Sequence, residues 1–276
     1  MINFALVGCG RIAKRHSNLL GNKQIDGASI TSVCDIDYKK AKFIGDKFSV
    51  SAYSDMDKMM SSEQIDVVVV LTPSGLHAEH VVNLSKHGKH IMVEKPMALT
   101  LDDADSMISA CDKNGCKLFI IKQNRFNLPV TKLREAIESN RFGKLVLGTV
   151  RVRWARHQHY YDQDDWRGTW AMDGRVLTNQ ASHHVDMLEW MMGDVESVFA
   201  KSTTALVNIE AEDTAIVTLK FRNGALGIIE ATTATRPKDL EGSISILGEK
   251  GTVVISGFAV NKMQTWLFES EEPGDE

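Results

Sequence analysis

The segment Val67–Leu71 is apolar at five consecutive positions. A strand with one solvent-exposed face would alternate polar and apolar side chains. This segment therefore predicts a central strand covered by helices on both faces. Strand-like runs alternate with helical patterns around it, which predicts βαβ units on a parallel sheet. In chain order these segments are Phe4–Val7, Arg11–Leu20, Ser29–Cys34, Tyr38–Phe48, Val67–Leu71, His77–His87, His90–Val93, Leu101–Lys113 and Lys117–Ile121.

The pattern changes after about Lys122. From Val195 onward apolar and polar residues alternate, and Asn223-Gly224 and Gly248–Gly251 supply hairpin turns, which predicts antiparallel strands. Before them we predict a helix, a long strand, a polar aromatic loop and a second helix at Val130–Ser139, Leu145–Trp154, Tyr160–Trp170 and Ala181–Met192. We therefore predict an α/β chain with a parallel-sheet domain over residues 1–122. An α+β domain, built on an open-faced antiparallel sheet, follows over residues 123–276.

Composition excludes several classes of function. The formal net charge is -4 and no Lys/Arg-rich run occurs, so the chain lacks the positive charge that attracts a nucleic-acid backbone. The longest apolar run is far shorter than the roughly 20 residues that span a bilayer, and no export signal follows Met1. We expect a cytoplasmic protein with neither a nucleic-acid nor a membrane partner. The four cysteines have no paired spacing, so we expect reduced, buried thiols and no metal site.

A glycine-rich turn joins the first strand to the first helix. The segment Gly8-Cys9-Gly10-Arg11-Ile12-Ala13 matches GxGxxA, in which the first glycine permits a tight turn and the second lets the backbone approach a pyrophosphate. Asp35 ends the second strand, where a carboxylate can accept hydrogen bonds from an adenosine ribose. We therefore predict a Rossmann domain that binds NAD rather than NADP, because Asp37 lies nearby and no Arg follows Asp35 directly. The alternative is a glycine turn that serves packing alone.

Two further strand ends carry candidate residues, since ligands of open α/β sheets bind beyond the carboxyl ends of the strands. Thr72-Pro73-Ser74 follows the central strand, and His77 opens the next helix. We expect them to form a cofactor wall; the alternative is an ordinary proline turn with Ser74 as helix N-cap. Glu94-Lys95-Pro96 follows the next strand and brings a lysine to the same edge, where partial desolvation beside a cationic ring would suit it to proton exchange.

These residues resemble the Gfo/Idh/MocA oxidoreductases, whose hallmarks include the N-terminal glycine motif, Glu-Lys-Pro after the fourth strand and an open-faced C-terminal sheet. The family's second signature resembles residues 173–186, Asp-Gly-Arg-Val-Leu-Thr-Asn-Gln-Ala-Ser-His-His-Val-Asp. By this match His183 falls on the family's catalytic histidine and Asn179 on a position that is Asp in many sugar dehydrogenases. Arg175 stands where the family often has glycine.

The resemblance implies an NAD-dependent dehydrogenase in which hydride leaves carbon while a base removes the hydroxyl proton. It implies His183 as the base and Lys95 as polariser or proton relay, with the reverse assignment left open, and Asn179 as a hydrogen-bond partner of a sugar oxygen. The implied cofactor contacts are Gly8, Gly10, Arg11, Ile12, Asp35, Thr72, Pro73, Ser74, His77, Glu94, Lys95, Gln123, Trp166 and Arg167. The implied substrate contacts are Lys95, Arg156, Tyr161, Asn179, His183 and Arg236.

Within the family, the chain is most similar to dehydrogenases of a UDP-linked N-acetylglucosaminuronic acid. The similar segments are Val152–Trp154, Tyr160–Gln163, Trp166–Trp170, Asn179–Ala181, Asn208–Thr214 and Leu240–Ser243. The likeness implies oxidation of the C3 hydroxyl, giving a 3-keto sugar for bacterial O-antigen or lipopolysaccharide synthesis. The open antiparallel sheet exposes a broad face, so we expect a homodimer or homotetramer paired through it. Because family members commonly continue with helical residues, we expect a shortened form that ends in an acidic, disordered tail, Glu269–Glu276.

Each assignment has a simpler alternative. His183 could be a structural histidine, because the helix after it has an apolar face. Trp154, Trp166 and Trp170 could fill core and interface. Arg153, Arg156, Arg236 and Lys238 could receive a diphosphate and a carboxylate, or be solvated charges. For the whole chain, the alternatives are a dehydrogenase of a free sugar or cyclitol, and a non-catalytic NAD-binding sensor.

Overall fold

The computed structural model, which describes residues 1–273 and 275, places Val67–Val70 as a fully buried strand within a six-stranded parallel sheet. The strands of this sheet are β1 Ile2–Val7, β2 Ala28–Cys34, β3 Ser51–Tyr53, β4 Val67–Val70, β5 His90–Val93 and β6 Leu118–Ile120. The helices around it are α1 Ala13–Gly21, α2 Tyr38–Phe48, α3 Met56–Ser62, α4 His77–Ser85 and α5 Leu101–Lys113. These elements belong to a compact unit of residues Met1–Ile121 and Ala171–Asp173.

The strand order of this sheet is β3-β2-β1-β4-β5-β6, and neighbouring strands are parallel. The order reverses between β1 and β4, which is where open α/β sheets bind ligands. The predicted parallel sheet with a central valine strand is therefore confirmed. The sequence analysis missed β3 and α3, because segments of three and seven residues are too short to establish a period.

The second compact unit comprises Lys122–Trp170 and Gly174–Glu276. Its strands are β7 Leu145–Arg153, β8 Val195–Thr203, β9 Thr214–Phe221, β10 Leu226–Thr232, β11 Glu241–Gly248, β12 Gly251–Ser256 and β13 Lys262–Phe268. Its helices are α6 Leu128–Glu138, α7 Gln158–Tyr161 and α8 Ser182–Met192, with a 3-10 turn at Gln123–Phe126 and a π-helical turn at Val176–Gln180. Both predicted hairpins are present, between β9 and β10 and between β11 and β12.

The seven strands of this unit follow the order β13-β12-β11-β7-β10-β9-β8. The α+β architecture is confirmed, but the expectation of a wholly antiparallel sheet is wrong in one place. Strands β7 and β10 are parallel, while the other neighbours are antiparallel. Parallel pairing needs a long crossover, and the connection through α7 and α8 supplies it. Alternating residues within β7 give no signal that distinguishes the two directions.

Helix α8 packs closely on β7 because Gly148 has no side chain. A Cβ at this position would lie 2.7 Å from side-chain carbons of Leu188 and Met192. Helices α6 and α8 contribute to one buried core with the inner residues of the sheet, such as Val150 and Ile244. The opposite face of the sheet stays open, and this packing fixes the position of the residues at the start of α8.

Three further expectations from the sequence concern the cysteines, the C-terminal tail and membrane-spanning helices. The four cysteines are free and buried, as predicted. The expected disorder of Glu269–Glu276 is corrected where the structure describes it: Arg141 donates to Asp275 at 2.8 and 2.7 Å and pairs with Glu272. Positions 274 and 276 lie outside the described residues. Across the described part of the chain, none of the helices combines the length and the apolar character that crossing a bilayer requires.

Candidate active site

The glycine turn after β1 has the geometry that GxGxxA requires. Gly8 has φ +96 and donates its N–H to the Cys34 carbonyl at 2.8 Å. A Cβ on Gly8 would lie 2.8 Å from the Leu71 carbonyl, so the turn must pass close to the end of β4. A Cβ on Gly10 would meet nothing within 4 Å, which leaves open space beside the backbone. This cradle fits a pyrophosphate.

Helix α1 begins beside the turn without a side-chain cap. Its N-cap residue is Ile12, which makes no side-chain hydrogen bond, and both Arg11 and Ile12 are exposed. Ala13, the last residue of the GxGxxA segment, is fully buried, which allows close packing of the helix. The N–H groups of an uncapped first turn can bind an anion, and the helix dipole adds to the attraction.

Asp35 connects the end of β2 to the glycine turn. One carboxylate oxygen accepts the Cys9 N–H at 2.7 Å, and the other accepts the Asp37 N–H at 2.8 Å. A carboxylate has about four acceptor positions, so two bonds leave capacity for ribose hydroxyls. The sequence analysis assigned Asp35 to the ribose but did not anticipate that it also shapes the turn.

His77 is buried between two loops. Its Nδ1 lies 2.8 Å from the Pro96 carbonyl and its Nε2 lies 2.9 Å from the Thr72 carbonyl. Burial lowers the pKa of His77, and a neutral ring donates to one of these carbonyls at a time. This geometry suits a residue that positions the loops after β4 and β5 better than one that touches a cofactor.

The turn after β4 differs from the simple alternative raised by the sequence. Pro73 precedes a short 3-10 turn, Ser74–Leu76, and α4 starts at His77 without a side-chain cap. Ser74 is therefore not the N-cap of α4; it is buried, while Thr72 and Pro73 stay partly exposed. Thr72 and Pro73 are therefore the more accessible residues of this turn.

Glu94 links the end of β5 to α1. Its carboxylate lies 2.9 Å from Nε2 of His16 and also accepts the Lys95 N–H at 3.1 Å. His16 was not identified from the sequence, because no motif marks a residue in the middle of α1. Lys95 follows at the end of β5 and is half-buried. Glu94 thus holds the backbone of Lys95 in place.

In the second unit, a π-helical turn leads into α8, and the two elements carry one predicted site residue each. Asn179, within the turn, is half-buried and donates its N–H to the Arg175 carbonyl at 2.9 Å. His183 lies in the first turn of α8 and is 8% exposed, and His184 is fully buried. Arg175 contacts the Trp170 ring, with 4.2 Å between its guanidinium carbon and the ring centroid. Single π-helical turns occur frequently at functional sites.

His183 has a partner on the preceding 3-10 turn. The side-chain nitrogen of Gln123 lies 3.0 Å from Nε2 of His183. Arg125 of the same turn binds both carboxylate oxygens of Asp186, at 2.7 and 2.8 Å. Neither Arg125 nor Asp186 was identified as a site residue from the sequence. The spacing of three residues between His183 and Asp186 places both on the same face of α8.

The aromatic segment 160–170 is folded around Arg167. This guanidinium donates to Asp164 at 2.8 Å and to the Tyr160 hydroxyl at 3.0 Å, and it lies against the Tyr160 and Trp166 rings. Tyr161 is 7% exposed, and its hydroxyl is 3.1 Å from Thr233 Oγ1. In this structure α7 directs most of this side chain into the interior, and the expected contact of Tyr161 with substrate stays a prediction.

The candidate anion-binding arginines differ in how their charge is compensated. Arg153 donates to Glu230 at 2.6 and 2.7 Å and to Glu241 at 3.1 Å, so its charge is compensated by two carboxylates. Arg156 pairs with Asp239 at 3.2 Å. Arg236 donates to the carbonyls of Thr233, Thr235 and Arg156, and no carboxylate of the described residues pairs with it. The charge of Arg236 is consequently uncompensated within the described residues.

A cavity of about 240 Å³ lies beside the aromatic segment. Its lining includes the carboxylates of Asp162, Asp164, Asp165 and Glu210 together with Arg167. This acidic lining repels an anionic diphosphate, so the cavity does not suit a nucleotide-linked substrate. Within the described residues, no group of three or more His, Cys, Asp or Glu side chains is arranged to hold a metal ion.

Comparison with known proteins identifies similar sequences and structures along the whole chain. The family model described as "Oxidoreductase family, NAD-binding Rossmann fold" matches residues 2–122, and that of the GFO/IDH/MocA C-terminal domain matches residues 130–254. The myo-inositol 2-dehydrogenase of Thermotoga maritima is 31% identical to the chain, over 99% of this chain and 80% of that protein.

Two solved structures are similar at higher identity. The WlbA dehydrogenase from Bordetella pertussis, in complex with NADH and UDP-GlcNAcA, is 43% identical with a TM-score of 0.95, and the match covers 99% of this chain and 84% of that one. The WlbA dehydrogenase from Chromobacterium violaceum, also with NADH and UDP-GlcNAcA, is 46% identical with a TM-score of 0.95, over 99% of this chain and 79% of that one.

Proposed function

From the premise that this chain belongs to the GFO/IDH/MocA family and is an NAD-dependent oxidoreductase, we propose that it oxidises the C3 hydroxyl of a UDP-linked N-acetylglucosaminuronic acid. One observation carries this proposal. The chain is 43% and 46% identical, over 99% of its length, to two dehydrogenases solved with NADH and UDP-GlcNAcA. The product would be a 3-keto sugar nucleotide, a precursor suited to the cytoplasmic stage of O-antigen or lipopolysaccharide synthesis.

The residues of the first unit fit an NAD molecule. Gly8, Gly10 and the uncapped start of α1 at Arg11 and Ile12 would hold the pyrophosphate, and Asp35 would accept the ribose hydroxyls. Thr72, Pro73 and Ser74 form the adjacent wall in this proposal, and Glu94 and His77 hold that wall and Lys95 in position. The cofactor supplies the hydride acceptor, so the protein's own residues orient the substrate and move the proton.

We assign the proton transfer to His183 and Lys95. His183 accepts the hydroxyl proton at an imidazole nitrogen, and Lys95 polarises the oxygen or relays the proton; the reverse assignment uses the same two residues. Asn179 hydrogen-bonds a sugar oxygen as a neutral amide, so it cannot change the basicity of its neighbours by charge. Positioned acid–base residues of this kind contribute roughly 10²–10⁴-fold to the rate.

The net charge of the chain is -4, so individual arginines must provide the positive charge that binds an anionic substrate. Arg236, whose charge is uncompensated within the described residues, is the strongest candidate for a diphosphate or carboxylate partner. Arg156 adds a second guanidinium, partly compensated by Asp239. Trp166 and Arg167 are assigned to the cofactor side, with Arg167 held rigid between two rings.

The open face of the second unit's sheet is the proposed contact between copies of the chain. Phe199, Thr218 and Ile228 are in register across β8, β9 and β10 on this face, and Phe199 is 64% exposed. A sheet face with several exposed apolar side chains suits pairing with a second copy. We therefore propose a homodimer or homotetramer, which light scattering of the purified protein tests.

A second candidate function is the oxidation of a free sugar or cyclitol. The similarity to a myo-inositol 2-dehydrogenase, at 31% identity over 99% of this chain, favours it. Uridine diphosphate distinguishes the two functions, because it should inhibit competitively only if the site binds a nucleotide-linked sugar. A sensor without catalytic activity would form no NADH in a single turnover with either substrate.

The test measures NADH formation from NAD with UDP-linked N-acetylglucosaminuronic acid and, separately, with myo-inositol. We expect turnover of the nucleotide sugar with oxidation at C3. Lys95→Ala and His183→Ala should each lower kcat by about 10²-fold or more and leave the Kd of NAD nearly unchanged. Oxidation of myo-inositol alone would refute the substrate assignment, and full activity of both variants would refute the catalytic one.

A further inference from the structure

Gln123 contacts the proposed base directly. Its side-chain nitrogen lies 3.0 Å from Nε2 of His183. An amide nitrogen can only donate, so Nε2 accepts this bond through its lone pair. With the amide in this orientation, a neutral imidazole, which carries one proton, holds it on Nδ1. Gln123 is exposed while His183 is 8% exposed, so the glutamine is the partner that can move aside when a ligand enters.

The turn that carries Gln123 is held against α8 by charge pairs. Arg125 binds both oxygens of Asp186, one turn of helix after His183, and its guanidinium carbon lies 4.6 Å from the Trp190 ring centroid. Lys122 approaches the same carboxylate at 3.4 Å. A bidentate arginine fixes direction as well as distance, so the position of Gln123 is set by the fold.

Resting on the proposed function, we propose that Gln123 is a positioning residue that keeps His183 in its Nδ1-protonated form and so reserves Nε2 for the substrate proton. The substrate hydroxyl displaces the amide N–H from the lone pair as it binds. The proton then passes from the hydroxyl oxygen to Nε2, which becomes an N–H donor. Rotation of the amide presents its carbonyl oxygen to that donor, so one side chain supports both protonation states.

The ion pairs between α8 and the turn before it, beside His183, join one carboxylate to two cations. Asp186 on α8 faces Arg125 and Lys122 of the preceding turn, and His184 is kept neutral because burial lowers its pKa to about 4. Gln123→Glu would introduce a carboxylate of nearly unchanged shape at the position of the amide. This carboxylate would stabilise the imidazolium and would not donate to Nε2.

The first readout is independent of any substrate. Nitrogen NMR of ¹⁵N-histidine-labelled protein reports which ring nitrogen of His183 carries the proton, with His183→Gln identifying its signal. We expect the Nδ1 proton in the wild type and loss of that preference in Gln123→Met. A wild-type proton on Nε2 would overturn the inference even if the enzyme oxidises the nucleotide sugar. Failure of the sugar assay alone would overturn only the proposed function.

The second readout is the pH profile of kcat with whichever sugar the enzyme oxidises. In Gln123→Glu the acidic limb should move up by about one pH unit or more, because an adjacent carboxylate favours the protonated imidazole. Gln123→Met should lower kcat about tenfold or more with little change in KM, because the wrong tautomer becomes populated. Gln264→Glu, which adds the same charge on exposed β13, is the matched control. Coincident profiles for Gln123→Glu and this control would contradict the proposal.

Discussion

Replacing Asp35 by Asn tests whether this carboxylate shapes the glycine turn as well as the ribose site. Both oxygens of Asp35 accept backbone N–H groups, from Cys9 and Asp37. Asparagine has one acceptor oxygen, so one N–H loses its partner and faces an NH₂ group. A hydrogen bond to a charged group contributes about 1.5–3 kcal/mol. Since Asp35 is partly exposed, we expect the free energy of unfolding to fall by about 1.5 kcal/mol, at the lower end of that range.

Asp37→Asn is the control for the change in stability, because Asp37 caps α2 by accepting the Lys39 N–H and Asn caps helices equally well. Urea unfolding should therefore separate the two variants. Calorimetric titration should show a Kd for NAD about tenfold higher in Asp35→Asn, which corresponds to about 1.4 kcal/mol of binding free energy. The same variant should show a smaller ratio between the Kd values of NADP and NAD. Equal stability of the two variants with an unchanged cofactor preference would refute the reasoning.

The remaining predictions concern the two glycines of the turn and the dependence of stability on pH. Gly8→Ala, whose Cβ would clash with the Leu71 carbonyl at φ +96, should destabilise the protein by about 1–3 kcal/mol in thermal unfolding. Gly10→Ala should unfold like the wild type but lose NAD affinity in calorimetry; unchanged affinity would exclude the pyrophosphate cradle. Burial lowers the pKa of His184 to about 4, so the unfolded chain binds more protons between pH 6.5 and 4 and stability falls as pH falls through that window. The contribution of His184 to this loss of unfolding free energy approaches about 3 kcal/mol. In His184→Leu the plot of unfolding free energy against pH should be flatter by that amount, and plots parallel to the wild type would contradict the assignment.

Local patterns were sufficient to predict the first unit. The continuous valine strand, the alternation of strands and helices and the glycine turn are short-range features, and each requires one backbone conformation whatever lies far away in the chain. The boundaries of α2, β5 and α5 agree with the sequence to the residue. The family resemblance identified two candidate site residues of the second unit, His183 and Asn179. A sequence motif shows which residue types are present but not which atoms they contact.

The tertiary structure decided what each of those side chains touches. Tyr161 faces the interior, His77 joins two loops, and Gln123, expected at the cofactor, contacts His183. The parallel pairing of β7 with β10 also depends on a long crossover rather than on any residue in either strand. The sequence by itself determines backbone preference and chemical type, which are local properties. Partners, protonation sites and strand direction depend on residues distant in the chain, and only packing of the folded protein brings those residues together.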